Sequence, residues 1–134
     1  MTQTSDSWKI DPNRPVFIQI MEIIKNRIAS GIYQPGDKLP SVREIAHSAA
    51  VNPNTVQKAL AELERTGLIY SQRAVGRFVT EDENQILGAK EESVDALVKA
   101  YFVGMGALGY NPQEAILLLE KNRNFSKEYD YCML

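Results

Sequence analysis

Four side chains that can form directional hydrogen bonds lie close together near the middle of the chain. Asn54, Thr55, Gln57 and Lys58 fall on the first turns of one predicted helix. Their amide, hydroxyl and ammonium groups can bond to the base edges and phosphates of a nucleic acid. A surface helix with a purely structural role more often carries interleaved Glu and Lys. The spacing alone leaves both interpretations open, because short capped helices are common.

Two helix-start signals position these side chains. Ser41 is followed three residues later by Glu44, the pattern of a capping box, which predicts that a helix begins at Ser41. Asn52 followed by Pro53 predicts a second helix start, because Asn caps open backbone donors and Pro fits the first helical position. Two short helices separated by a tight turn make a helix-turn-helix.

The second of these helices has two faces that differ in chemistry. The residues predicted to face the core are apolar and recur at helical spacing: Val56, Ala59, Leu60 and Leu63. Asn54 and Lys58 fall on the opposite side. The hydrogen-bonding face is therefore expected to be exposed.

A β-hairpin is predicted after the second helix. Leu68 to Ser71 and Arg77 to Thr80 have β-type composition and flank a polar connection that contains glycine. A helix-turn-helix followed by a hairpin is a winged helix. Arg73 and Arg77 are predicted to lie at or beside the wing tip, where an arginine can reach a phosphate or a narrow minor groove.

An earlier helix and an extended segment complete the predicted domain. From Pro15 to Gly31, apolar residues form one stripe that indicates core packing rather than a ligand pocket: Phe17, Ile20, Met21, Ile24 and Ile28. The turn signal Pro35-Gly36-Asp37 delivers Lys38-Leu39 as an extended segment that can pair with the hairpin.

The run from Pro35 to Val79 resembles the DNA-binding domain of the GntR family of bacterial transcription regulators. The local sequence VNPNTV and the short C-terminal part resemble the YtrA subfamily. The resemblance implies an N-terminal winged helix, a dimer, and repression of a nearby operon, frequently one that encodes an ABC transporter.

The resemblance also assigns residues by position. Arg43 matches the DNA-contacting arginine of the family's LPSxR element, Asn54, Thr55 and Gln57 match recognition-helix positions, and residues 73–76 match the wing. The DNA-binding residues predicted in all are Ser41, Arg43, Asn54, Thr55, Gln57, Lys58, Arg73, Gly76 and Arg77.

Three residues depart from the family pattern. Pro53 and Gln57 stand where many relatives have arginines, and Ala74 stands where the wing usually has glycine. These departures leave the expected fold unchanged but leave the operator sequence open.

Two amphipathic helices are predicted beyond the acidic residues 81–84. Gly109 ends the first helix, and Asn111-Pro112 with Glu114 starts the second. A helical hairpin cannot bury its apolar faces by itself, so we expect a homodimer. The residues predicted to form the dimer interface are Val94, Leu97, Val98, Tyr101, Met105 and Leu108. The aromatic residues Tyr101, Phe102 and Tyr110 are predicted to pack, with a small-molecule effector pocket as the alternative.

The predicted fold class is α+β, a winged helix-turn-helix followed by a two-helix dimerisation hairpin. We expect a flexible N-terminus at 1–14, although Trp8 and Ile10 can pack against the body. The DNA-binding domain is expected at 15–80, a helical dimerisation and effector region at 81–123, and a disordered tail at 124–134.

Charge is divided unevenly along the 134 residues. The net charge is −2, but residues 1–80 hold ten Lys/Arg against seven Asp/Glu, and residues 81–134 hold five against ten. A basic first part and an acidic second part fit a DNA-binding module followed by a part that stays away from phosphates.

Several function classes are not supported by the sequence. There is no Gly-rich phosphate loop, nucleophile elbow or metal-ligand spacing, so we expect neither an enzyme nor a metal or cofactor. No apolar run approaches a membrane span and no signal peptide is recognisable, so we expect no membrane association and a cytoplasmic protein.

Two functions remain. The leading hypothesis is a sequence-specific, dimeric repressor that binds double-stranded DNA at a palindromic operator. The alternative is a winged-helix module that binds a protein or a ligand and uses DNA only weakly, which the pI of about 5.4 favours slightly.

Overall fold

The computed structural model describes residues 8–124 of the chain. The helices in this range are α1 (Val16–Ala29), α2 (Val42–Ala49), α3 (Pro53–Arg65), α4 (Glu83–Ala107) and α5 (Pro112–Lys121), and the strands are β1 (Ile69–Gln72) and β2 (Gly76–Val79). The order of elements is that of a winged helix followed by two helices. The predicted α+β fold class is confirmed.

The caps of α2 and α3 form as their sequence signals predict. The Ser41 hydroxyl accepts a hydrogen bond from the Glu44 backbone N–H at 3.0 Å, and the Glu44 carboxylate accepts one from the Ser41 N–H at 2.8 Å. Asn52 Oδ1 accepts a hydrogen bond from the Asn54 N–H at 2.7 Å, with Pro53 at the first helical position. Local side-chain chemistry thus sets the start of both helices.

The turn between α2 and α3 depends on a left-handed residue. Ala50 has a φ of 56°. Its N–H bonds to the His47 carbonyl and the Val51 N–H bonds to the Ala46 carbonyl, so the last carbonyls of α2 are satisfied. A side chain makes this conformation costly compared with glycine.

The core of the winged helix lies between α1, α2, α3 and the hairpin. Its largest fully buried side chains are Ile20, Ile24, Ile45, Val56, Leu60, Leu63, Ile69 and Val79. The predicted apolar face of α3 is buried as expected, and Asn54, Lys58, Ala61 and Arg65 on the opposite side are exposed. The helix orientation inferred from periodicity is confirmed.

Residues 8–14 contact α1. Trp8 is buried, and the guanidinium of the buried Arg27 lies 4.3 Å from the centre of its ring. Gln19 accepts a hydrogen bond from the Asp11 N–H and donates one to the Asp11 carbonyl, both at 2.8 Å. The segment predicted to be flexible, 1–14, therefore includes a part from Trp8 onward that is tied to the helix. Residues 1–7 lie outside the described range.

The wing is a two-stranded antiparallel hairpin with Ile69 opposite Val79 and Gln72 opposite Gly76. The strands are displaced by one residue from the predicted limits, because the turn comprises only residues 73–75 and Gly76 already belongs to β2. Lys38 forms an isolated antiparallel bridge with Phe78. The predicted pairing of the Lys38-Leu39 segment with the hairpin is confirmed.

The first turns of α4 belong to the winged-helix unit. The chain divides into two compact units between Glu92 and Ser93, later than the expected boundary after Thr80. Gln85 Nε2 donates a hydrogen bond to the Thr66 carbonyl at 3.1 Å, and Ile86 packs against the core. The start of α4 is thus fastened to the end of α3.

The second unit is a helical hairpin. Gly109, at a φ of 97°, follows the end of α4, and the Tyr110 N–H bonds to the Met105 carbonyl. A second capping box, between Asn111 and Glu114, starts α5. Both termini were predicted from the sequence.

Contacts inside the second unit support a packing role for one of its aromatic residues. The Tyr101 hydroxyl donates a hydrogen bond to the Ala115 carbonyl at 2.7 Å, and its ring meets Phe102 edge to face. Tyr110 is exposed. The tail beyond Asn124, for which disorder is expected, lies outside the described residues.

Among the helices described, none has a stretch long and apolar enough to cross a membrane.

Candidate nucleic-acid interface

The N-terminal half of α3 presents hydrogen-bonding groups to the outside. Asn54, Gln57 and Lys58 are exposed, and Thr55 is half-buried. They stand on a helix whose other face is buried in the core, so packing fixes the direction in which the helix presents them. Such a helix can present polar groups to base edges in a major groove.

Arg43 lies on the exposed side of α2, whereas Ile45 and Ala46 lie on its buried side. It forms no hydrogen bond or ion pair with any residue between 8 and 124. An exposed arginine without a partner is available to a phosphate or a guanine.

Ser41 and Glu44, on either side of Arg43 in the sequence, are hydrogen-bonded to each other. The bonds that Glu44 accepts from the Ser41 backbone N–H and from the Ser41 side chain hold the pKa of its carboxyl below the ordinary value of 4.5. The Ser41 oxygen accepts the Glu44 N–H, and its hydroxyl hydrogen is donated to the Glu44 carboxylate, so both hydrogen-bonding functions of this side chain serve the cap.

Lys58 has a partner that the sequence did not reveal. Its Nζ lies 4.4 Å from the centre of the Phe17 ring, so its ammonium contacts the face of an aromatic residue of α1. Helical periodicity predicts that Phe17 faces inward and Lys58 outward, but it does not indicate which edge of α3 adjoins α1. This contact joins one edge of α3 to α1.

The wing tip carries Arg73, which is exposed and makes no polar contact in the part of the chain that the structure describes. Its neighbour Ala74 has a φ of 67°, a left-handed conformation that glycine adopts more readily than alanine. Gly76 has a φ of 144°, and a side chain there would meet Lys38 Cε at 3.0 Å. The backbone conformation therefore favours glycine at position 76, whereas the close atom belongs to the flexible end of the Lys38 side chain.

Arg77 is directed away from the wing tip. Its Nε lies 3.3 Å from Glu64 Oε1 on α3, and only 21% of its side chain is exposed. Arg77 lies beside the wing turn as predicted, but its guanidinium is paired with Glu64, and its predicted contact with DNA stays a prediction. The alternation of side chains along a strand could have predicted that Arg77 faces the body of the domain. Arg77 lies on the same face of β2 as Val79, which is fully buried.

The predicted dimerisation residues lie on α4 in the second unit. Val94, Leu97, Val98 and Leu108 are exposed, with 72% of Leu97 and 74% of Leu108 accessible. Tyr101 and Met105 are partly covered. Further large apolar residues on α5 are also exposed: Ile116, Leu117 and Leu119.

A capped helix-turn-helix, an exposed polar face on its second helix and an arginine at the tip of a wing together define a winged-helix DNA-binding protein.

Comparisons with known proteins identify the family. The profile described as "Bacterial regulatory proteins, gntR family" matches residues 18–79. The HTH-type transcriptional repressor YtrA of Bacillus subtilis (strain 168) is 39% identical over 105 residues, which cover 72% of this chain and 81% of that protein. The chain belongs to the GntR family, and it is a DNA-binding transcription regulator rather than an enzyme.

Solved structures agree with this identification. A GntR family transcriptional regulator from Listeria monocytogenes superimposes with a TM-score of 0.77 and 38% identity, covering 84% of this chain and 98% of that one. The AraR DNA-binding domain, solved in complex with operator ORX1, superimposes with a TM-score of 0.52 and 29% identity, covering 55% and 96%.

Proposed function

We propose that this protein is a dimeric repressor that binds a palindromic operator through α3 and the wing tip. The observation that carries the proposal is the exposed polar face of α3 together with two arginines, Arg43 and Arg73, that lack partners in the described chain. Support comes from the similarity to the repressor YtrA and to an operator-bound AraR domain.

The proposed contacts divide into base readout and backbone positioning. Asn54, Thr55 and Gln57 read base edges, because amides and hydroxyls at the start of a recognition helix reach the floor of the major groove. Arg43 binds a guanine or a phosphate, and Ser41 caps the start of the helix that carries Arg43.

The wing is proposed to contact the backbone or the minor groove beside the α3 site. Arg73 supplies the charge, and Gly76 keeps β2 free of a side chain that would displace Lys38. Lys58 remains at the edge of the interface, where its ammonium can meet a phosphate while its stem stays on Phe17.

The second unit is proposed to join two copies of the chain. Exposed apolar side chains on both α4 and α5 form a surface larger than the scattered apolar residues of an ordinary monomer. A second copy of the chain, related by a two-fold axis, would bring the same apolar side chains against this surface. Two heads would then bind half-sites about one helical turn, roughly 34 Å, apart.

We propose that the protein represses a nearby operon, and the family resemblance implies an operon that encodes an ABC transporter. We propose that it acts in the cytoplasm.

A groove at the start of α4 is our proposed site for a small-molecule effector. Its volume is about 230 Å³, and its lining is Lys25, Thr66, Leu68, Gln85, Gly88, Ala89 and Glu92. A ligand there would compete with the bond from Gln85 to the Thr66 carbonyl, which ties α4 to the end of α3. The opposite charges of Lys25 and Glu92 suit a zwitterion such as a free amino acid. Addition of such a ligand should raise the unfolding temperature of the wild type but not that of Lys25→Met.

Binding of the purified protein to duplexes tiled across its own promoter region tests the proposed function. Unrelated DNA serves as competitor, and two salt concentrations are used because phosphate contacts make affinity salt-dependent. We expect one protected palindrome that survives competition. Weak binding that is insensitive to sequence would contradict the proposal and support a protein- or ligand-binding module instead.

A further inference from the structure

Glu64 lies where the recognition helix meets the wing. Its Oε1 is 3.3 Å from Nε of Arg77, and the two side chains are only 32% and 21% exposed. The pair joins the C-terminal half of α3 to the strand that returns from the wing tip. It is the counterpart of the contact between Lys58 and Phe17, which fastens the N-terminal half of α3 to α1.

Backbone hydrogen bonds hold β2 on a different side. The Leu39 N–H donates to the Arg77 carbonyl and the Val79 N–H donates to the Asp37 carbonyl, both at 2.9 Å. These bonds fix β2 to the extended segment before α2, but they do not tie it to α3. The ion pair with Glu64 supplies a side-chain tie between β2 and the recognition helix.

A carboxylate on a helix that binds DNA is unfavourable for binding, so we looked for a structural role for Glu64. Negative charge beside phosphates opposes binding, so an acid on α3 lowers affinity unless another contribution offsets it. Glu62, two residues earlier, pairs with Arg65 of the same helix and so connects no two elements. Glu64 differs because its partner lies on the wing.

We infer that Glu64 is a positioning residue for DNA binding, which through Arg77 sets the distance between the wing tip and the reading face of α3. The inference rests on the proposed DNA contact of Arg73 at that tip. Arg77 then acts as the link within the protein and not as a phosphate ligand. Because the wing turn is only three residues long, a displacement of β2 moves Arg73 with it.

The two roles that Arg77 could have predict opposite effects of Glu64→Gln. If Arg77 positions the wing, the loss of the carboxylate loosens the tip and weakens binding, by about two- to fivefold for a partly exposed pair. If Arg77 instead leaves Glu64 to bind a phosphate, Glu64→Gln removes a competitor and a repelling charge, so binding tightens.

The experiment uses the full-length protein and a duplex that the protein selects from a random-sequence pool. Dissociation constants are measured over a range of salt for the wild type, Glu64→Gln, Arg77→Gln, the double variant and the matched control Glu62→Gln. Circular dichroism and urea unfolding midpoints separate loss of folding from loss of positioning.

We expect each single variant of the pair to weaken binding by a similar factor, and the double variant to be no weaker than the poorer single one. We expect Arg77→Gln to keep the wild-type salt dependence, because no phosphate contact is removed, and Glu62→Gln to bind at least as tightly as the wild type. A tighter or unchanged Glu64→Gln complex overturns the inference. So does an Arg77→Gln variant whose salt slope falls by about 0.9, the value for one lost phosphate contact.

Failure of the proposed function would be a separate result, in which the wild type selects no sequence from the pool. The same variants would then be compared on an unrelated duplex, because wing contacts to phosphates do not require a particular sequence. Equal affinities of Glu64→Gln and Glu62→Gln on that duplex would overturn the inference there as well.

Discussion

The two units of the chain bury their apolar residues to very different extents. The winged helix covers Ile20, Ile24, Val56, Leu60 and Leu63 completely. In the described part of the second unit Ala115 is the buried residue, and most of the large apolar side chains of α4 and α5 are exposed. The first unit therefore has a core of its own, whereas the second leaves apolar side chains exposed, where we propose that a second copy packs.

Local sequence signals specify the first unit more completely than the second. In the winged helix, caps, turns and apolar faces agree with one another along a short stretch of chain, which is the consistency expected of a self-contained domain. The helical hairpin has equally clear caps at Asn111 and Gly109, yet its caps do not tell which of its faces becomes buried.

The largest expected effect comes from a pair of leucine truncations, one in each unit. Leu60→Ala removes a fully buried side chain from α3 and should lower the free energy of unfolding by about 2–5 kcal/mol. Leu97→Ala removes a side chain that is 72% exposed and should change it by about 0.5 kcal/mol or less at concentrations where the chain is monomeric. Urea unfolding measures both. Equal losses would show that the second unit has a core of its own.

Next in size is the loss of Arg43, which lies on the side of the first unit that we propose binds DNA. Arg43→Ala should weaken operator binding by about 1–3 kcal/mol if the guanidinium makes a bidentate contact. Arg14→Ala is the control, because it removes the same charge from a residue that pairs with Glu22 on α1. Titration of a labelled duplex compares the two. If both variants lose affinity equally, Arg43 acts only through net charge.

A smaller effect is expected at the turn of the helix-turn-helix. Ala50→Gly should stabilise the protein by up to about 1 kcal/mol, because Ala50 is held at a φ of 56°, which glycine adopts without strain. Ala61→Gly, on the exposed side of α3, should destabilise it by about 1 kcal/mol, because glycine is a poor helix former. Thermal unfolding gives the sign of each change. Destabilisation by both substitutions would mean that Ala50 is not strained.

The smallest effect concerns pH and the cap of α2. The hydrogen bonds from Ser41 lower the pKa of Glu44 below 4.5, so the stabilisation they provide is complete above the ordinary pKa and is lost as pH falls through the lowered one. Glu44→Gln should therefore be less stable than the wild type near neutral pH, and the difference should shrink as the pH falls below 4.5. Denaturant midpoints across this range test it. A difference that stays constant with pH would exclude the charged cap as its cause.

Much of the fold follows from short-range signals in the sequence. Ser41 with Glu44 and Asn52 with Pro53 mark helix starts through contacts within three residues, so the sequence alone is sufficient to predict them. The buried face of α3 follows from periodicity. The predicted strands were displaced by one residue because hairpin limits depend on which residues close the turn, here Gln72 and Gly76.

The candidate site could be predicted only in part. The exposure of Asn54, Gln57 and Arg43 follows from the orientation of their helices. The partners of Lys58 and Arg77 lie on other elements, 41 and 13 residues away along the chain, so no local pattern identifies them. The division after Glu92 differs from the expected boundary after Thr80 because the bond from Gln85 to Thr66 joins segments that are distant in sequence.

The most direct test of this account is sedimentation equilibrium of the full-length chain beside a fragment that ends at Glu92. We predict that the full-length chain has the mass of a dimer and that the fragment is a folded monomer, because the core lies in the first unit and the exposed apolar surface in the second. A monomeric full-length chain, or a fragment that remains dimeric, would contradict the account.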